Sequence, residues 1–390
     1  MVDHVNGNLT RLLLVQTQAE AAGAQEISRL LSEELSKPLS SGAAKFETHN
    51  LFLYRKTDGC DHFPNVHFAA MERPSNIVEW VKLIFNLFKI IRAIKPDVML
   101  TFQHYGNIVA APVGRILRVP KIIANHVSSK ATISRPVAFV DKLLGLAGAY
   151  DKITVNSKQT WQDYQMHPER YRRQLTYVPH GFASRATTLT KQASRKRFNL
   201  PANETILGCV SRLNTTKRLG LAIRLLPLMP DVHLALVGQG PDEENLRNTA
   251  NELEVTDRVH FIGEIPSTDI GEFLVGLDVF VFPSIAETFG LAPVEAAQAG
   301  IPVVCSDIPI MREVLEVDGR PCALFVDVKI ADAFASSVQQ ILSDSNLYEQ
   351  LSSQGRQLKT EHSINGMIDG YKALIRCSPS SQVESTITPS

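Results

Sequence analysis

The chain alternates short apolar runs with longer amphipathic stretches along most of its length. Twelve apolar runs are predicted to be strands, and they lie at 11–16, 47–54, 97–102, 121–126, 152–156, 175–179, 205–210, 232–238, 259–263, 279–284, 302–307 and 323–326. Most are nearly continuous in Val, Ile, Leu and Phe, which is typical of parallel strands covered on both faces. The helical patterns between them predict βαβ units, and therefore an α/β fold with two doubly wound, Rossmann-like domains.

A polar, basic stretch at 183–203 interrupts this alternation, which restarts beyond it. A chain of 390 residues fits two domains, at roughly 150 residues for each. We therefore predict a first domain at 1–190 and a second at 191–377. Residues 378–390 have almost nothing to bury and are predicted to be a disordered tail.

Composition and charge narrow the class of protein without changing the predicted fold. Hydrophobic residues make up 44% and charged residues 21%, as in an ordinary globular protein. The 40 basic and 40 acidic residues give zero net charge, which argues against a nucleic-acid-binding protein. The five cysteines form no Cys-x-x-Cys pair, so neither a disulfide framework nor a zinc site is predicted. With no apolar run of about 18 residues and no signal-peptide core, a cytoplasmic location is expected.

One helical pattern, at 76–96, is strongly apolar. Its polar side chains gather on one face, and they are Glu79, Lys82, Asn86, Lys89 and Arg92. Such a helix can pack against its own sheet and leave a solvated polar stripe, which is the interpretation we favour. It can also lie on an anionic membrane. A peripheral contact with the inner face of the membrane therefore stays open.

Two glutamates flank a glycine-containing turn in the stretch 282–307. Glu287 follows an apolar run, and Glu295 lies eight positions later, in the predicted first turn of a helix. Gly290 between them would allow a positive φ or a close backbone approach. Backbone N–H groups at the start of a helix attract anions, and α/β sheets bind ligands at the carboxyl ends of their strands. The turn is therefore a candidate binding site.

A ligand that carries both phosphates and hydroxyls accounts for acids beside such N–H groups. The N–H groups would take the phosphates, while the carboxylates, which only accept hydrogen bonds, would bind the hydroxyls. Nucleotide sugars have this composition. Glu295 alone also has a simpler interpretation, because an acid in the first turn complements the helix dipole. That alternative does not account for Glu287.

Arg212 and Lys217 follow the apolar run 205–210, in the loop before the next helical pattern. Two cations at the carboxyl end of a parallel strand would neutralise a diphosphate, each contact contributing roughly 1.5–3 kcal/mol. They would also lower the barrier to a reaction in which the diphosphate leaves, because charge accumulates there as the bond breaks. The alternative is that both are solvated loop cations. The nearby glycines of 237–241 are interpreted as a tight turn rather than a phosphate loop.

These motifs resemble retaining glycosyltransferases of the GT-B fold, specifically glycosyltransferase family 4 with its E-x7-E signature. In the second half the resemblance is specific, and besides 282–307 the matching stretches are 210–226, 234–246, 259–266 and 302–315. In the first half it is looser and rests on 21–35, 94–104, 122–126, 153–159 and 177–182. The resemblance implies two Rossmann-like domains that face each other across a cleft. It also implies a nucleotide diphosphate sugar as the donor substrate, without a metal or other cofactor.

By this resemblance, Glu295 holds the ribose hydroxyls and Glu287 contacts hydroxyls of the donor sugar. Arg212 and Lys217 hold the diphosphate. The backbone that would line the sugar and the diphosphate is that of Phe289, Gly290 and Leu291.

The resemblance assigns two further residues in the first half. His126 ends an apolar run and would reach the donor sugar near the reacting centre, although a histidine there can also be a satisfied strand-end residue. Gly23 lies in the first strand-to-helix turn and would let the backbone approach the donor. The family often has two glycines there, whereas this chain has Ala22-Gly23, and the alternative is an ordinary helix N-terminal turn.

The predicted reaction moves a hexosyl group to a hydroxyl of a saccharide or lipid-linked acceptor, with retention at the anomeric carbon. A role in cell-surface polysaccharide or glycolipid synthesis is expected. Glu287 and Glu295 are interpreted as binding groups rather than as the nucleophile that retaining glycosidases use. The predicted catalytic residues are His126, Glu287, Arg212 and Lys217. Two alternatives stay open: a nucleotide-sugar epimerase of the same fold, and a sugar-nucleotide-binding protein without turnover.

Overall fold

Each of the twelve predicted strands is present in the computed structural model, and all of them pair in parallel. The structure describes residues 9–20, 23–37, 46–127, 133–182, 185, 187–329 and 331–376. Within these residues the chain divides into two compact units, 9–181 with 364–376 and 182–363. The predicted tail at 378–390 lies outside the described residues.

Strands and helices alternate in the first unit as the apolar pattern predicts. The elements are β1 (Thr10–Ala19), α1 (Gly23–Ser36), β2 (Phe46–Arg55), β3 (Val66–Ala70), α2 (Ile77–Ile94), β4 (Val98–Phe102), α3 (Gln103–Ile116), β5 (Lys121–His126), α4 (Arg135–Ala147), β6 (Lys152–Val155), α5 (Lys158–Tyr164), α6 (Glu169–Arg172) and β7 (Leu175–Tyr177). Among the described residues the sheet has the order β3-β2-β1-β4-β5-β6-β7. Its central strands are buried on both faces, because Leu12, Leu13, Leu14 and Val15 of β1 have no exposed surface.

One strand of this sheet, β3, was not predicted. It pairs only with β2, at the edge of the sheet, and four of its five residues are partly exposed. An edge strand of this kind does not need the continuous apolar run that identifies the central strands. Its sequence Val66-His67-Phe68-Ala69-Ala70 is therefore too mixed to stand out.

The second unit repeats the architecture. Its elements are α7 (Lys191–Arg197), β8 (Thr205–Val210), α8 (Leu219–Ile223), β9 (Val232–Val237), α9 (Glu243–Glu252), β10 (Val259–Gly263), α10 (Ile270–Leu274), β11 (Val279–Phe282), α11 (Leu291–Gln298), β12 (Val303–Ser306), α12 (Pro309–Val314), β13 (Glu316–Val317), β14 (Arg320–Pro321), β15 (Ala323–Val326), α13 (Ala331–Ser343) and α14 (Ser345–Glu361). Short 3-10 helices lie at Thr215–Lys217, Leu226–Leu228, Thr256–Arg258 and Ser267–Asp269. The small antiparallel hairpin of β13 and β14 was not predicted.

The strand order of the second sheet identifies where a ligand would bind. The order among the described residues is β10-β9-β8-β11-β12-β15, so the direction of winding reverses between β8 and β11. These strands are adjacent and parallel, with Val279 opposite Leu207. In open α/β sheets the crevice beyond the carboxyl ends of two such strands binds ligands. The loops that follow β8 and β11 therefore share one predicted binding position.

The last helix, α15 (Ile364–Arg376), differs from its predicted place. The sequence assigned 191–377 to the second domain, whereas the structure packs this helix with the first unit. The hydroxyl of Tyr371 donates to Asn125 Oδ1 at 2.7 Å, and Lys121 Nζ donates to the carbonyl of Leu374. The apolar face of the helix is buried there, with Tyr371 1% exposed. The first passage between the units lies at Gly181–Phe182, nine residues before the predicted boundary at 190.

Candidate active site

The loops that follow β8 and β11 are held together by backbone and side-chain hydrogen bonds. Ile285 N–H donates to the carbonyl of Thr216 at 3.0 Å, so the turn after β11 is fixed on the 3-10 helix after β8. That 3-10 helix is capped by Asn214, whose Oδ1 accepts from Lys217 N–H at 3.2 Å and from the Thr216 hydroxyl at 2.7 Å. Asn is among the preferred capping residues because its short side chain reaches the backbone. The cap sets the position of Lys217.

Lys217 and Glu287 form an ion pair between these two loops. Their side chains are 18% and 11% exposed, so both charges are largely removed from water. Lys217 Nζ also lies 4.9 Å from the centre of the Phe282 ring, at the end of β11, in a cation–π contact. The ring and the carboxylate hold the ammonium group at the carboxyl end of the sheet. The structure therefore brings together two of the predicted site residues, one from each loop.

The start of α11 has the backbone that the glycine in the turn predicts. Gly290 has φ 78° and ψ 58°, in the left-handed region, and the helix begins at Leu291. A Cβ at this position would also lie 2.2 Å from Met311 Cε. The ring of Phe289 is buried against Phe182 and His362, at centroid distances of 5.3 Å. The backbone of Phe289 and Gly290 is thus held rigidly before the first N–H groups of the helix.

Replacing Gly290 with alanine is expected to lower the free energy of unfolding by about 1–2 kcal/mol, the usual cost of a left-handed alanine. Crowding by Met311 adds to this cost. Urea unfolding measures the change. Gly220→Ala is the matched control, because a Cβ there would meet only Leu246 Cδ2 at 4.0 Å in a helix, where alanine is favourable. Equal stability of the two variants would contradict a structural requirement for glycine at 290.

Glu295 lies one turn later than the sequence predicts and has a partner that the sequence did not indicate. It is the fifth residue of α11 and only 7% exposed. Arg185 Nε donates to Glu295 Oε1 at 2.8 Å, and its Nη2 lies 2.6 Å from the same oxygen. The dipole of a helix acts mainly within its first turn. The simpler interpretation of Glu295 as a dipole-stabilising acid is therefore disfavoured.

Arg212 is exposed in the loop directly after β8. Its neighbours in the chain are fixed against the turn 237–241, since Ser211 N–H donates to the Val237 carbonyl and Leu213 N–H to the Gln239 carbonyl. A Cβ on Gly238 would lie 2.0 Å from the Ser211 carbonyl oxygen. The glycines of this turn thus allow two backbones to approach closely, in agreement with the tight turn that we favoured over a phosphate loop.

His126 is fully enclosed within the first unit. The side chain has no exposed surface, its Nδ1 lies 2.8 Å from the Tyr164 hydroxyl, and its Nε2 lies 3.6 Å from Asp141 Oδ1. Burial lowers the pKa of His126 to about 3, so the ring is neutral. This geometry fits the alternative, a satisfied histidine at the end of a strand, and the contact with a donor sugar stays a prediction. A buried cluster of tyrosine and aspartate side chains surrounds it in the first unit.

Gly23 begins α1, the first helix of the first unit. This placement fits the ordinary helix N-terminal turn that the sequence left open, while its neighbour Ala22 lies outside the described residues. Gly23 and His126 therefore belong to the first unit, whereas the other predicted site residues belong to the second. In the second unit the candidate site comprises Arg212, Lys217, Glu287, Phe289, Gly290, Leu291 and Glu295.

Two further observations bear on the chemistry of this site. Within the part of the chain that the structure describes, no group of three or more His, Cys, Asp and Glu side chains could hold a metal ion. Cys209 lies near the end of β8, and burial raises the pKa of its thiol to about 12. A thiol of this kind stays protonated and is a poor nucleophile.

A comparison with known protein families finds a match within the second unit, which contains the loops after β8 and β11. Residues 190–358 match the family described as glycosyl transferases group 1. The second unit therefore contains a region that matches this family, called the group 1 domain below, and the two parallel sheets match the GT-B fold. The group 1 domain contains the loops after β8 and β11 and every candidate residue that the second unit supplies.

Similar proteins extend the comparison beyond the group 1 domain. The chain is 27% identical over 297 residues to the O-antigen biosynthesis glycosyltransferase WclY of Escherichia coli, covering 74% of this chain and 78% of the relative. It is 32% identical over 190 residues to the lipopolysaccharide core biosynthesis glycosyltransferase LpsE of Rhizobium meliloti, covering 47% and 54%. The fold is similar to that of Anabaena Alr3699/HepE in complex with UDP and glucose, with TM-score 0.80, 16% identity and coverage of 94% and 99%.

Sequence reasoning missed two residues that the site of the group 1 domain depends on. Asn214 carried a detectable signal, because an Asn three positions before Lys217 is a typical capping position. Arg185 carried none, since it lies in a basic stretch interpreted as a linker, 110 positions from Glu295. Only the folded chain brings this pair together.

Proposed function

We propose that the chain is a retaining hexosyltransferase of glycosyltransferase family 4. The proposed donor is a nucleotide diphosphate sugar, and the acceptor is a hydroxyl of a saccharide or of a lipid-linked saccharide. One observation carries the proposal: Lys217 and Glu287 meet between the loops after β8 and β11, in a group 1 domain. A basic group and an acidic group side by side suit a ligand in which a phosphate adjoins a hydroxyl-bearing sugar.

In this proposal, different residues of the second unit bind different parts of the donor. Lys217 and Arg212 would neutralise the diphosphate, together with the N–H groups at the start of α11. Glu287 would accept hydrogen bonds from sugar hydroxyls, and Glu295 from the ribose. Because Lys217 already pairs with Glu287, binding the donor would exchange part of this contact for phosphate and hydroxyl contacts.

The transfer itself would break the bond between the anomeric carbon and the phosphate oxygen. Negative charge then grows on the leaving diphosphate, where Lys217 and Arg212 stabilise it. The acceptor hydroxyl would attack on the same face, passing its proton to the leaving phosphate, which gives retention. We propose no metal cofactor for this step and no role at the sugar for His126, because that ring is fully buried.

The named relatives support the biological setting. WclY is an O-antigen biosynthesis glycosyltransferase and LpsE a lipopolysaccharide core biosynthesis glycosyltransferase, which supports a role in cell-surface polysaccharide synthesis. The HepE structure contains UDP and glucose, which supports a nucleotide-sugar donor. We propose that the reaction takes place in the cytoplasm, where nucleotide sugars are the substrates.

A panel of UDP-, GDP- and ADP-sugars tests the proposal, with thermal stabilisation of the protein and release of free nucleoside diphosphate as the two measurements. One donor is expected to raise the midpoint of unfolding and to be consumed when a saccharide acceptor is added, with the same rate in EDTA. Interconversion of the sugar without an acceptor would instead indicate the epimerase. Binding without any product would indicate the non-catalytic protein.

A peripheral membrane contact belongs to the same proposal, and helix α2 is its basis. Leu83, Leu87 and Ile91 are buried against the sheet, as the packing interpretation predicts. Five further apolar side chains are 45–81% exposed, and they are Ile77, Val78, Val81, Ile84 and Phe85. The basic side chains Lys82, Lys89 and Arg92 are exposed on the same helix. An exposed apolar stripe beside basic groups suits an anionic lipid surface.

Among the helices that the structure describes, none has the length and apolar character needed to span a membrane. The proposed contact is therefore tested as binding to the surface of lipid vesicles. The protein is expected to sediment with phosphatidylglycerol vesicles and less with phosphatidylcholine vesicles. Val81→Ser with Phe85→Ser should reduce this binding about tenfold or more, since each exposed apolar side chain would lose its burial in lipid. Leu228→Ser, which replaces an exposed leucine of the second unit, is the control. Equal binding of both variants would contradict the contact.

A further inference from the structure

Arg185 is held by three elements of the second unit, and one of them is α11 of the candidate site. Its guanidinium group bonds to Glu295 Oε1, and its Nη1 donates to the carbonyl of Ser267 at 2.7 Å. The backbone is confined as well, because a Cβ on Gly271 of α10 would lie 2.2 Å from the Arg185 carbonyl oxygen. The side chains of Arg185 and Glu295 are each only 9% exposed. The arginine is therefore held firmly beside α11.

The chain that leads to Arg185 is also anchored near the start of α11. Phe182 N–H donates to the carbonyl of His362 at 3.1 Å, and the Phe182 ring packs against that of Phe289. Phe289 adjoins Gly290, the residue before the helix. Phe182 and the turn that carries the candidate binding backbone thus rest on each other.

A buried carboxylate needs a counter-charge to remain ionised and acceptor-only. An ionised acid without a partner is costly to bury, and it takes up a proton instead. A protonated acid would present an O–H group where a ribose also presents hydroxyls. Arg185 removes this cost and fixes Oε1 with two donors, while a carboxylate offers about four acceptor positions in all. The bonds from Arg185 therefore fix the orientation of the group through one of its two oxygens.

We propose that Arg185 is a positioning residue for ribose recognition: it orients the Glu295 carboxylate so that this group accepts hydrogen bonds from the hydroxyls of a ribonucleotide. The inference rests on the proposed function, in which Glu295 binds the ribose. It adds to the donor site a residue of the second unit that precedes α7. It also specifies the ligand class, because the site would discriminate ribonucleotides from 2′-deoxyribonucleotides through the Arg185–Glu295 pair.

Calorimetric titration with UDP, GDP and ADP and with their 2′-deoxy counterparts tests the inference. The parent protein is expected to bind one ribonucleotide about 10- to 100-fold more tightly than its 2′-deoxy form, the value of a hydrogen bond to a charged group. Arg185→Ala and Glu295→Gln should both reduce this ratio to below about threefold, because they remove the same interaction. Arg185→Lys, which keeps the charge, should retain part of the preference.

The pH dependence gives a second readout that loss of structure would not produce. Without its counter-charge, the buried Glu295 of Arg185→Ala favours its protonated form, which accepts fewer hydrogen bonds, so the ratio of ribonucleotide affinity to 2′-deoxyribonucleotide affinity should rise with pH. The parent should show no such rise in this ratio. If Arg185→Ala does not fold, Arg185→Gln replaces it in both measurements. Arg197→Gln is the control, since Arg197 bonds to Asp269 of the neighbouring 3-10 helix at 2.6 Å without contacting Glu295.

The outcomes separate this inference from the proposed function. If Arg185→Ala weakens the ribonucleotide and its 2′-deoxy form equally, while Glu295→Gln abolishes the preference, the arginine is only structural and the inference is wrong. If the parent protein binds none of the nucleotides, the proposed function fails and the inference fails with it. Loss of the preference in both variants, with Arg197→Gln unchanged, supports the inference.

Discussion

Replacing Lys217 with alanine is expected to slow sugar transfer by about 10²- to 10³-fold, the usual cost of removing one fixed group that stabilises developing charge. The ammonium group is held by Glu287 and the Phe282 ring at the carboxyl end of the sheet. Without the ammonium group, less positive charge lies beside the leaving diphosphate. Glu287 also loses its partner. Because the charge on the diphosphate grows as the bond breaks, kcat should fall more than the affinity for the donor.

Steady-state kinetics with the donor identified by the panel measures the effect. Arg218→Ala is the matched control, because Arg218 is the next residue, is exposed and carries the same charge. It should transfer sugar at close to the parent rate. If Lys217→Ala and Arg218→Ala are equally active, the ion pair of Lys217 with Glu287 is only structural and the predicted role in transfer is wrong.

The fold could be predicted because parallel strands carry their own signal. A strand buried on both faces must be apolar at nearly every position, and the runs that form β5, β8, β10 and β15 have the bounds predicted for them. The edge strand β3 was not predicted because four of its five residues are partly exposed, so its sequence is not continuously apolar. The destination of α15 could not be predicted either, since its amphipathic pattern would suit either unit. Contacts such as that between Tyr371 and Asn125 decide it.

Part of the candidate site could likewise be predicted from the sequence, and part of it could not. Lys217 and Glu287 follow buried strands directly, so the topology of the sheet brings their loops together once β8 and β11 are neighbours. The pairing of Glu295 with Arg185 joins residues that lie 110 positions apart in the sequence. No periodic pattern in the sequence predicts such a pair. The surroundings of His126 could not be predicted either, because its place at the end of β5 suggested chemistry, whereas side chains from α4 and α5 enclose it.

This enclosure has a consequence for stability in acid. Burial lowers the pKa of His104 and of His126 to about 3, whereas the ordinary value in an unfolded chain is 6.5. A group whose pKa is depressed in the folded state contributes stability above its unfolded pKa, and this is lost as the pH falls towards the folded value. Between pH 7 and pH 5 the unfolded chain takes up protons that the folded chain does not.

The free energy of unfolding of the first unit is therefore expected to fall between pH 7 and pH 5 by about 2 kcal/mol for each of these two histidines. Asp141 acts in the opposite sense. Burial raises the pKa of its carboxyl, so its contribution is present below the unfolded pKa and is lost as the pH rises. Asp141→Asn should consequently lose more stability than the parent as the pH falls through the raised pKa of this carboxyl.

Urea unfolding at pH 7 and pH 5, followed by tryptophan fluorescence, measures the loss of unfolding free energy in the first unit. Both tryptophans, Trp80 and Trp161, pack against the core of the first unit. His126→Asn should be less stable than the parent at pH 7, because the bond to Tyr164 is lost, yet it should lose about 2 kcal/mol less on acidification. His62→Asn, at an exposed position, should follow the parent. If His126→Asn and the parent lose equal stability in acid, His126 takes up its proton in the folded state and cannot be the neutral, enclosed ring that its contacts describe.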